Sequence, residues 1–312
     1  LEVDIAALFQ DGPAETIRTG RRTVTRSGAG VHRRTDRFRF ELEMLRESIA
    51  KGLTGPRRLL LYRKIIAGLE KRHGKTPKGQ AIIDLAEHAF AGRQEEKALR
   101  YGMLAAKELY QQSLFRDAER MYLRLQELLK KENLAALLTP EQRMDILEGL
   151  ATVKNQRADH TGALTDFDEL ARLAEESGDQ ARVARAIRGR TLALLRTGKL
   201  DEASISLQHL MSLYSVLDDL GGLGYAYNLK AYFAFMQCEL LNAESFFREA
   251  VSYYRKAGMI EELAGALYNI GYMIDCCGRY EDAKSVFTEA LNLRRKNPTP
   301  SIALVRSLTL LA

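Results

Sequence analysis

The fold is decided by residues 278–291, GRYEDAKSVFTEAL, because similar stretches recur upstream at a fixed distance. The counterparts are CELLNAESFFREAV at 238–251, GKLDEASISLQHL at 198–210 and ALTDFDEL at 163–170. One alanine is shared by all four copies and recurs every 40 residues, as Ala163, Ala203, Ala243 and Ala283. A constant period of this length indicates a repeat architecture.

Each repeat has the pattern of two amphipathic helices joined by a short turn. In the last copy, apolar residues follow helical spacing from Leu263 to Ile274, and the pattern resumes from Tyr280 to Ala290 after a turn at Gly278. A single hairpin cannot bury its apolar face, whereas stacked hairpins can. The sequence therefore predicts an all-α fold, a right-handed α-solenoid of antiparallel helix hairpins in 40-residue units.

This pattern resembles the tetratricopeptide repeat. The residues that match it best are Leu267, Ile270-Gly271, Ala283, Phe287 and Ala290. The usual unit has 34 residues, so a 40-residue unit lengthens each helix. The resemblance covers about 80–312, and residues 300–312 are expected to open a further first helix. Long-unit arrays of this kind resemble the sensor domains of bacterial signalling proteins and transcription regulators. The resemblance thus implies a bacterial protein that binds other proteins or peptides.

Residues 1–79 are expected to form a different module. Two short β-prone runs flank a Gly-rich turn in 21–40, which predicts a hairpin, and helices are expected at about 41–51 and 56–72. Residues 36–49, DRFRFELEMLRESI, followed by 57–59, RRL, and 62–70, YRKIIAGLE, resemble the junction between a winged-helix domain and the repeat array in multidomain signal-transduction ATPases. The resemblance implies that a small α/β winged-helix-like segment precedes the repeats, with the wing at 21–40. It also implies an upstream ATPase domain of the same polypeptide as a partner.

The net charge of +6 is unevenly distributed. Residues 1–79 contain 18 basic and 9 acidic residues, a net charge of +9, which leaves −3 for residues 80–312. A basic hairpin favours contact with a nucleic-acid backbone, although it would also suit docking on an acidic neighbouring domain. If nucleic acid is the partner, the candidate contact residues are Arg21, Arg22, Arg26, Arg33, Arg34, Arg37 and Arg39.

Several function classes find no support in the sequence. No apolar run approaches the roughly 20 residues of a membrane helix, and the N-terminus does not resemble a signal peptide, so a soluble, cytoplasmic protein is expected. The three cysteines, Cys238, Cys276 and Cys277, are expected to be reduced and buried. Residues 68–76, GLEKRHGKT, have the wrong spacing for a phosphate loop and favour a helix C-cap at Gly74. No catalytic, metal-binding or cofactor-binding motif is present, and we expect a protein that is not an enzyme and holds no metal or cofactor.

The concave surface is the predicted functional site. In such an array the first helix of each hairpin lines the inner face, and side chains three to four positions apart point toward a ligand. We expect asparagines to hydrogen-bond a peptide backbone, tyrosines to pack on its side chains and an arginine to pair with a carboxylate. The predicted groove residues are Arg185, Arg188, Leu192, Tyr225, Asn228, Tyr232, Phe235, Tyr268, Asn269, Tyr272 and Asp275. The expected partner is a protein or peptide segment.

Overall fold

The computed structural model describes residues 2–3, 38–39, 54–74 and 77–296. The chain divides into two compact units, one made of residues 1–112 and 127–137 and the other of residues 113–126 and 138–312. The domain boundary after residue 79 stays a prediction. None of the described helices is long and apolar enough to cross a membrane.

Most of the basic N-terminal segment lies outside the described residues, as does the helix expected at 41–51. This applies to six of the arginines assigned to nucleic-acid contact: Arg21, Arg22, Arg26, Arg33, Arg34 and Arg37. The seventh, Arg39, belongs to the short strand β2 (Phe38–Arg39), which pairs antiparallel with β1 (Glu2–Val3). A strand at the start of the chain was not predicted. The winged-helix-like segment and its nucleic-acid contacts therefore stay predictions.

The first unit also contains helices α1 (Gly55–His73), α2 (Gln80–Ala91), α3 (Glu95–Gln111) and α5 (Glu132–Ala135). Helix α1 confirms the helix expected at 56–72, with Pro56 in its first turn. Gly74 ends this helix with a φ of 73°, and its N–H donates to the carbonyl oxygen of Glu70 at 3.0 Å. Such a conformation suits glycine. Gly74 is thus a helix C-cap, as predicted.

A polar cluster joins α1 to α3 within the first unit. Tyr101 is buried, and its hydroxyl donates to Glu70 Oε1 at 2.6 Å, while Lys97 Nζ donates to Glu70 Oε2 at 2.9 Å. Burial and the hydrogen bond to the Glu70 carboxylate raise the pKa of Tyr101 to about 12. The cluster therefore ties the end of α1 to α3 through a protonated phenol.

We expect this tie to weaken in strong alkali. Because the pKa of Tyr101 is higher in the folded chain than in the unfolded chain, its contribution to stability is complete below about pH 10 and is lost as the pH rises through about 12. Subtracting the alkaline absorbance titration of Tyr101→Phe from that of the parent should isolate one phenol with a midpoint near 12. Glu70→Gln should lower that midpoint. A midpoint near 10 in the parent would contradict the assignment.

The second unit contains the regular repeats. It begins with α4 (Phe115–Leu129), most of which belongs to this unit. The first helices of the following hairpins begin at residues 140, 180, 220 and 260, and the second helices begin at residues 160, 200, 240 and 280. The 40-residue period is thereby confirmed. These helices are α6 (Pro140–Gln156), α7 (His160–Ser177), α8 (Gln180–Arg196), α9 (Leu200–Val216), α10 (Leu220–Met236), α11 (Leu240–Ala257), α12 (Ile260–Cys276) and α13 (Tyr280–Lys296).

Small residues at repeat positions let the helices approach. The four repeated alanines, Ala163, Ala203, Ala243 and Ala283, are at most 1% exposed. A Cβ atom on Gly271 would lie 2.7 Å from the ring of Phe287, closer than van der Waals contact allows. Aromatic or leucine side chains fill the space beside them, at the equivalent positions Phe167, Leu207, Phe247 and Phe287. Tyr280, which the apolar pattern also includes, is 69% exposed and does not fill this space.

The expected burial of the three cysteines is wrong, because all three are exposed. Cys238 lies in the turn between α10 and α11 with a φ of 62°, at the position that Gly198 and Gly278 occupy in neighbouring repeats. Cys276 and Cys277 lie where α12 ends. Apolar spacing along a helix does not extend the buried face into the turn that follows it, and this explains the error.

Candidate functional site

A groove of about 420 Å³ lies on the first helices α8, α10 and α12, within the second unit. Seven of the eleven predicted groove residues line it: Leu192, Tyr225, Asn228, Tyr232, Phe235, Asn269 and Tyr272. The period accounts for this convergence, since Leu192, Tyr232 and Tyr272 are 40 residues apart and occupy the same position on three successive first helices. One helix position, repeated on three successive first helices, thus contributes three of the groove's lining residues.

Two amides meet in this groove. Asn269 Nδ2 donates to Asn228 Oδ1 at 3.1 Å, and both side chains are half-buried. The bond uses one donor and one acceptor of the pair. Asn228 Nδ2 and Asn269 Oδ1 have no further hydrogen bond among the described residues. The pair therefore presents an unused amino group and an unused carbonyl oxygen, the kinds of donor and acceptor that a peptide unit needs.

Aromatic side chains surround the amides. Tyr232 is 39% exposed and Tyr272 is 48% exposed, although both line a concave surface. The ring of Phe235 lies 6.5 Å from that of Tyr272, centroid to centroid. A hydrogen bond with Cys276 raises the pKa of Tyr272. The site offers aromatic faces and hydroxyl groups to a ligand.

The other four predicted residues do not line the groove. Arg185 donates to Glu148 Oε1 at 2.8 Å, so its charge is already paired with α6. Arg188 lies over the ring of Tyr225, 4.9 Å from the centroid. Tyr268 packs on Phe287, with the ring centroids 5.6 Å apart, and Asp275 is half-buried in the last turn of α12.

Four lining residues were not predicted: Arg196, Leu229, Phe247 and Met273. Arg196 follows Leu192 by four residues, so helical spacing places it on the same face and the sequence contained the signal. Phe247 belongs to a second helix, α11. The assumption that only first helices contribute to the groove excluded it.

No group of three or more His, Cys, Asp or Glu side chains that could hold a metal ion occurs among the described residues. The groove lining contains neither a carboxylate nor a histidine. Its chemistry is that of hydrogen bonding, aromatic packing and one positive charge. These are the properties of a binding surface.

The fold is that of the tetratricopeptide-like helical-repeat proteins, as solved structures with the same architecture show. One is a Rap protein complexed with Competence and Sporulation Factor, with a TM-score of 0.58 and 11% identity over 81% of this chain and 85% of that one. Another is aspartyl phosphate phosphatase F from Bacillus subtilis, with a TM-score of 0.50 and 14% identity over 83% of this chain and 64% of that one.

A third similar structure is the signal transduction ATPase with numerous domains and a tetratricopeptide repeat sensor from Pyrococcus horikoshii. Its TM-score is 0.53, with 13% identity over 86% of this chain and 44% of that one. No protein-family model matches the sequence, and no curated protein matches it significantly. At these identities the structural similarity concerns the fold.

Proposed function

We propose that the chain is a protein- or peptide-binding scaffold or sensor domain that holds its ligand in the groove of α8, α10 and α12. In this proposal the chain acts without catalysis, in the cytoplasm of a bacterium, as part of a signalling or regulatory protein. An ATPase domain upstream in the same polypeptide is the partner expected from the sequence of the N-terminal segment.

The observation that carries the proposal is the exposure of aromatic side chains beside an incompletely bonded amide pair. Phe167 and Phe287, at repeat positions outside the groove, are buried between helices. Tyr232 and Tyr272 remain open to solvent in a concave surface, next to Asn228 and Asn269. Tyrosine is enriched in binding hot spots because it buries a large area at a small entropic cost.

Two of the proteins with similar structures support this proposal. One is a Rap protein in complex with Competence and Sporulation Factor, and another has a tetratricopeptide repeat sensor within a signal transduction ATPase. These statements concern those proteins. They make a sensing role a reasonable proposal for an array of the same fold.

The proposal predicts that Asn228→Ala combined with Tyr272→Ala weakens groove binding. Phage displaying random 12-residue peptides would be selected on the full chain and counter-selected on the double variant. Selected peptides would then be synthesised, and their affinities measured by fluorescence anisotropy. We expect the double variant to bind at least about ten-fold more weakly, because two hot-spot side chains are removed.

The matched control is Tyr280→Ala, since Tyr280 is 69% exposed and does not line the groove. Its affinity for the selected peptides should equal that of the parent chain. Selection that yields no peptide sensitive to Asn228 and Tyr272 would contradict the proposal, as would an equal loss in the control.

A further inference from the structure

Helix α8 is strongly basic. It contains Arg182, Arg185, Arg188, Arg190 and Arg196 and no acidic residue. Three of these arginines form ion pairs with preceding helices: Arg182 with Asp145 at 3.0 Å, Arg185 with Glu148 at 2.8 Å and Arg190 with Asp168 at 2.7 Å. Their charges are compensated within the fold.

The remaining two arginines are not compensated. Neither Arg188 nor Arg196 forms an ion pair with a carboxylate in the part of the chain that the structure describes. Arg196 lines the groove directly, and the guanidinium of Arg188 lies over the ring of Tyr225, which also lines it. Eight residues of helix separate them, about 12 Å along α8 at 1.5 Å per residue.

The facing helix carries no acidic residue within its bounds. Helix α10 has Lys230 as its one charged residue, and the carboxylate of Asp219, which caps its start, accepts a hydrogen bond from the Gly222 N–H. The ammonium group of Lys230 lies 4.3 Å from the ring centroid of Phe246, a residue of α11 that does not line the groove. Asp275, the acidic residue predicted for the groove, belongs to α12, beyond α10, and does not line the cavity. The α8 side of the groove is therefore positive, and Asp275 adds a negative charge on the α12 side.

We propose that the groove takes an acidic peptide, with its carboxylates on the α8 side against Arg188 and Arg196. This rests on the proposed function and specifies the chemistry of its ligand. Guanidinium groups bind carboxylates through charge-assisted hydrogen bonds, and pairing is stronger where a concave, partly apolar surface excludes water. A basic peptide would be repelled by the same two arginines.

The test measures both the charge of the selected peptides and their dependence on the two arginines. Peptides selected on the full chain and lost on Asn228→Ala with Tyr272→Ala are expected to be enriched in Asp and Glu over the starting library. For the tightest of them, Arg188→Gln combined with Arg196→Gln should weaken binding about ten-fold or more, as should replacing the Asp and Glu residues of the peptide by Asn and Gln. Raising the salt concentration from 50 to 500 mM should weaken binding to the parent chain more than binding to the arginine double variant.

Arg190→Gln is the matched control, because it removes the same charge from the same helix but from an arginine already paired with Asp168. We expect its affinity to stay within about two-fold of the parent. Groove-dependent peptides that are neutral or basic, or that bind the arginine double variant as tightly as the parent, would overturn the acidic-ligand proposal and leave the proposed function standing. A failure to select any groove-dependent peptide would overturn both.

Discussion

Replacing Phe167 by alanine is expected to lower the free energy of unfolding by about 3–5 kcal/mol, the range for a large buried aromatic side chain. Phe167 is 3% exposed and belongs to a hydrophobic cluster that extends from Met144 to Leu229. Its removal leaves a cavity between α7 and α8, and the stacked array can close that cavity only in part. Urea denaturation followed by circular dichroism measures the loss.

The helix beside this ring supplies a sharper test. A Cβ atom on Gly189 would lie 2.2 Å from Cζ of Phe167, so Gly189→Ala overpacks the parent chain and should cost about 1–3 kcal/mol. In the Phe167→Ala background the same substitution should become stabilising, because the added methyl group enters the cavity and alanine favours the helix by about 1 kcal/mol over glycine. The sign of the effect should thus reverse.

Gly265 of α12 is the matched control for the Gly189→Ala substitution in the two backgrounds. The nearest atom to a Cβ placed there is Arg294 Nη2 at 4.0 Å, so nothing opposes the helix preference of alanine. Gly265→Ala should stabilise both backgrounds by about 0.5–1 kcal/mol. If Gly189→Ala stabilised the parent chain as well, the close approach of α8 to Phe167 would be refuted.

The fold of the repeats was predictable because a single physical constraint recurs every 40 residues. Helices of the array can pack closely only where a small residue faces a large one, as Gly271 of α12 faces Phe287 of α13. The residue type at a turn position varies more, since position 238 holds a cysteine where neighbouring repeats hold glycine. Cysteines in a turn or at a helix end lie outside the packed helix faces, so the apolar pattern did not predict their exposure.

The groove was predictable at the level of helix faces but not of individual partners. Periodicity grouped Asn228, Tyr232 and Tyr272, which line one cavity, because Asn228 and Tyr232 are one turn apart on α10 and Tyr272 follows Tyr232 by one period. It could not show that Arg185 is paired with Glu148 whereas Arg188 is not. Such pairing depends on a carboxylate 37 residues away on another helix, and no local pattern records it.

A long-range ion pair also underlies the second large effect on stability. Arg182 is 7% exposed, and its Nη1 donates to the carbonyl oxygen of Glu141 at 2.8 Å while its Nη2 donates to Asp145 Oδ1 at 3.0 Å. These bonds tie the start of α8 to α6. Arg182→Ala should lower the free energy of unfolding by about 2–4 kcal/mol, because it removes two hydrogen bonds of a buried guanidinium, one of them charge-assisted, together with buried packing.

A comparison of Arg182 with Arg172 separates the effect of burial on stability from the effect of charge pairing. The guanidinium of Arg172 pairs with Glu169 and with Glu176, but its side chain is 53% exposed. Water solvates all three charges and salt screens them, so Arg172→Ala should lower the free energy of unfolding much less than Arg182→Ala does, despite two acidic partners. Arg182→Met retains most of the buried contact area and should fall between the two. Equal losses for Arg172→Ala and Arg182→Ala would contradict the claim that burial makes the contacts of Arg182 more stabilising than those of an exposed arginine.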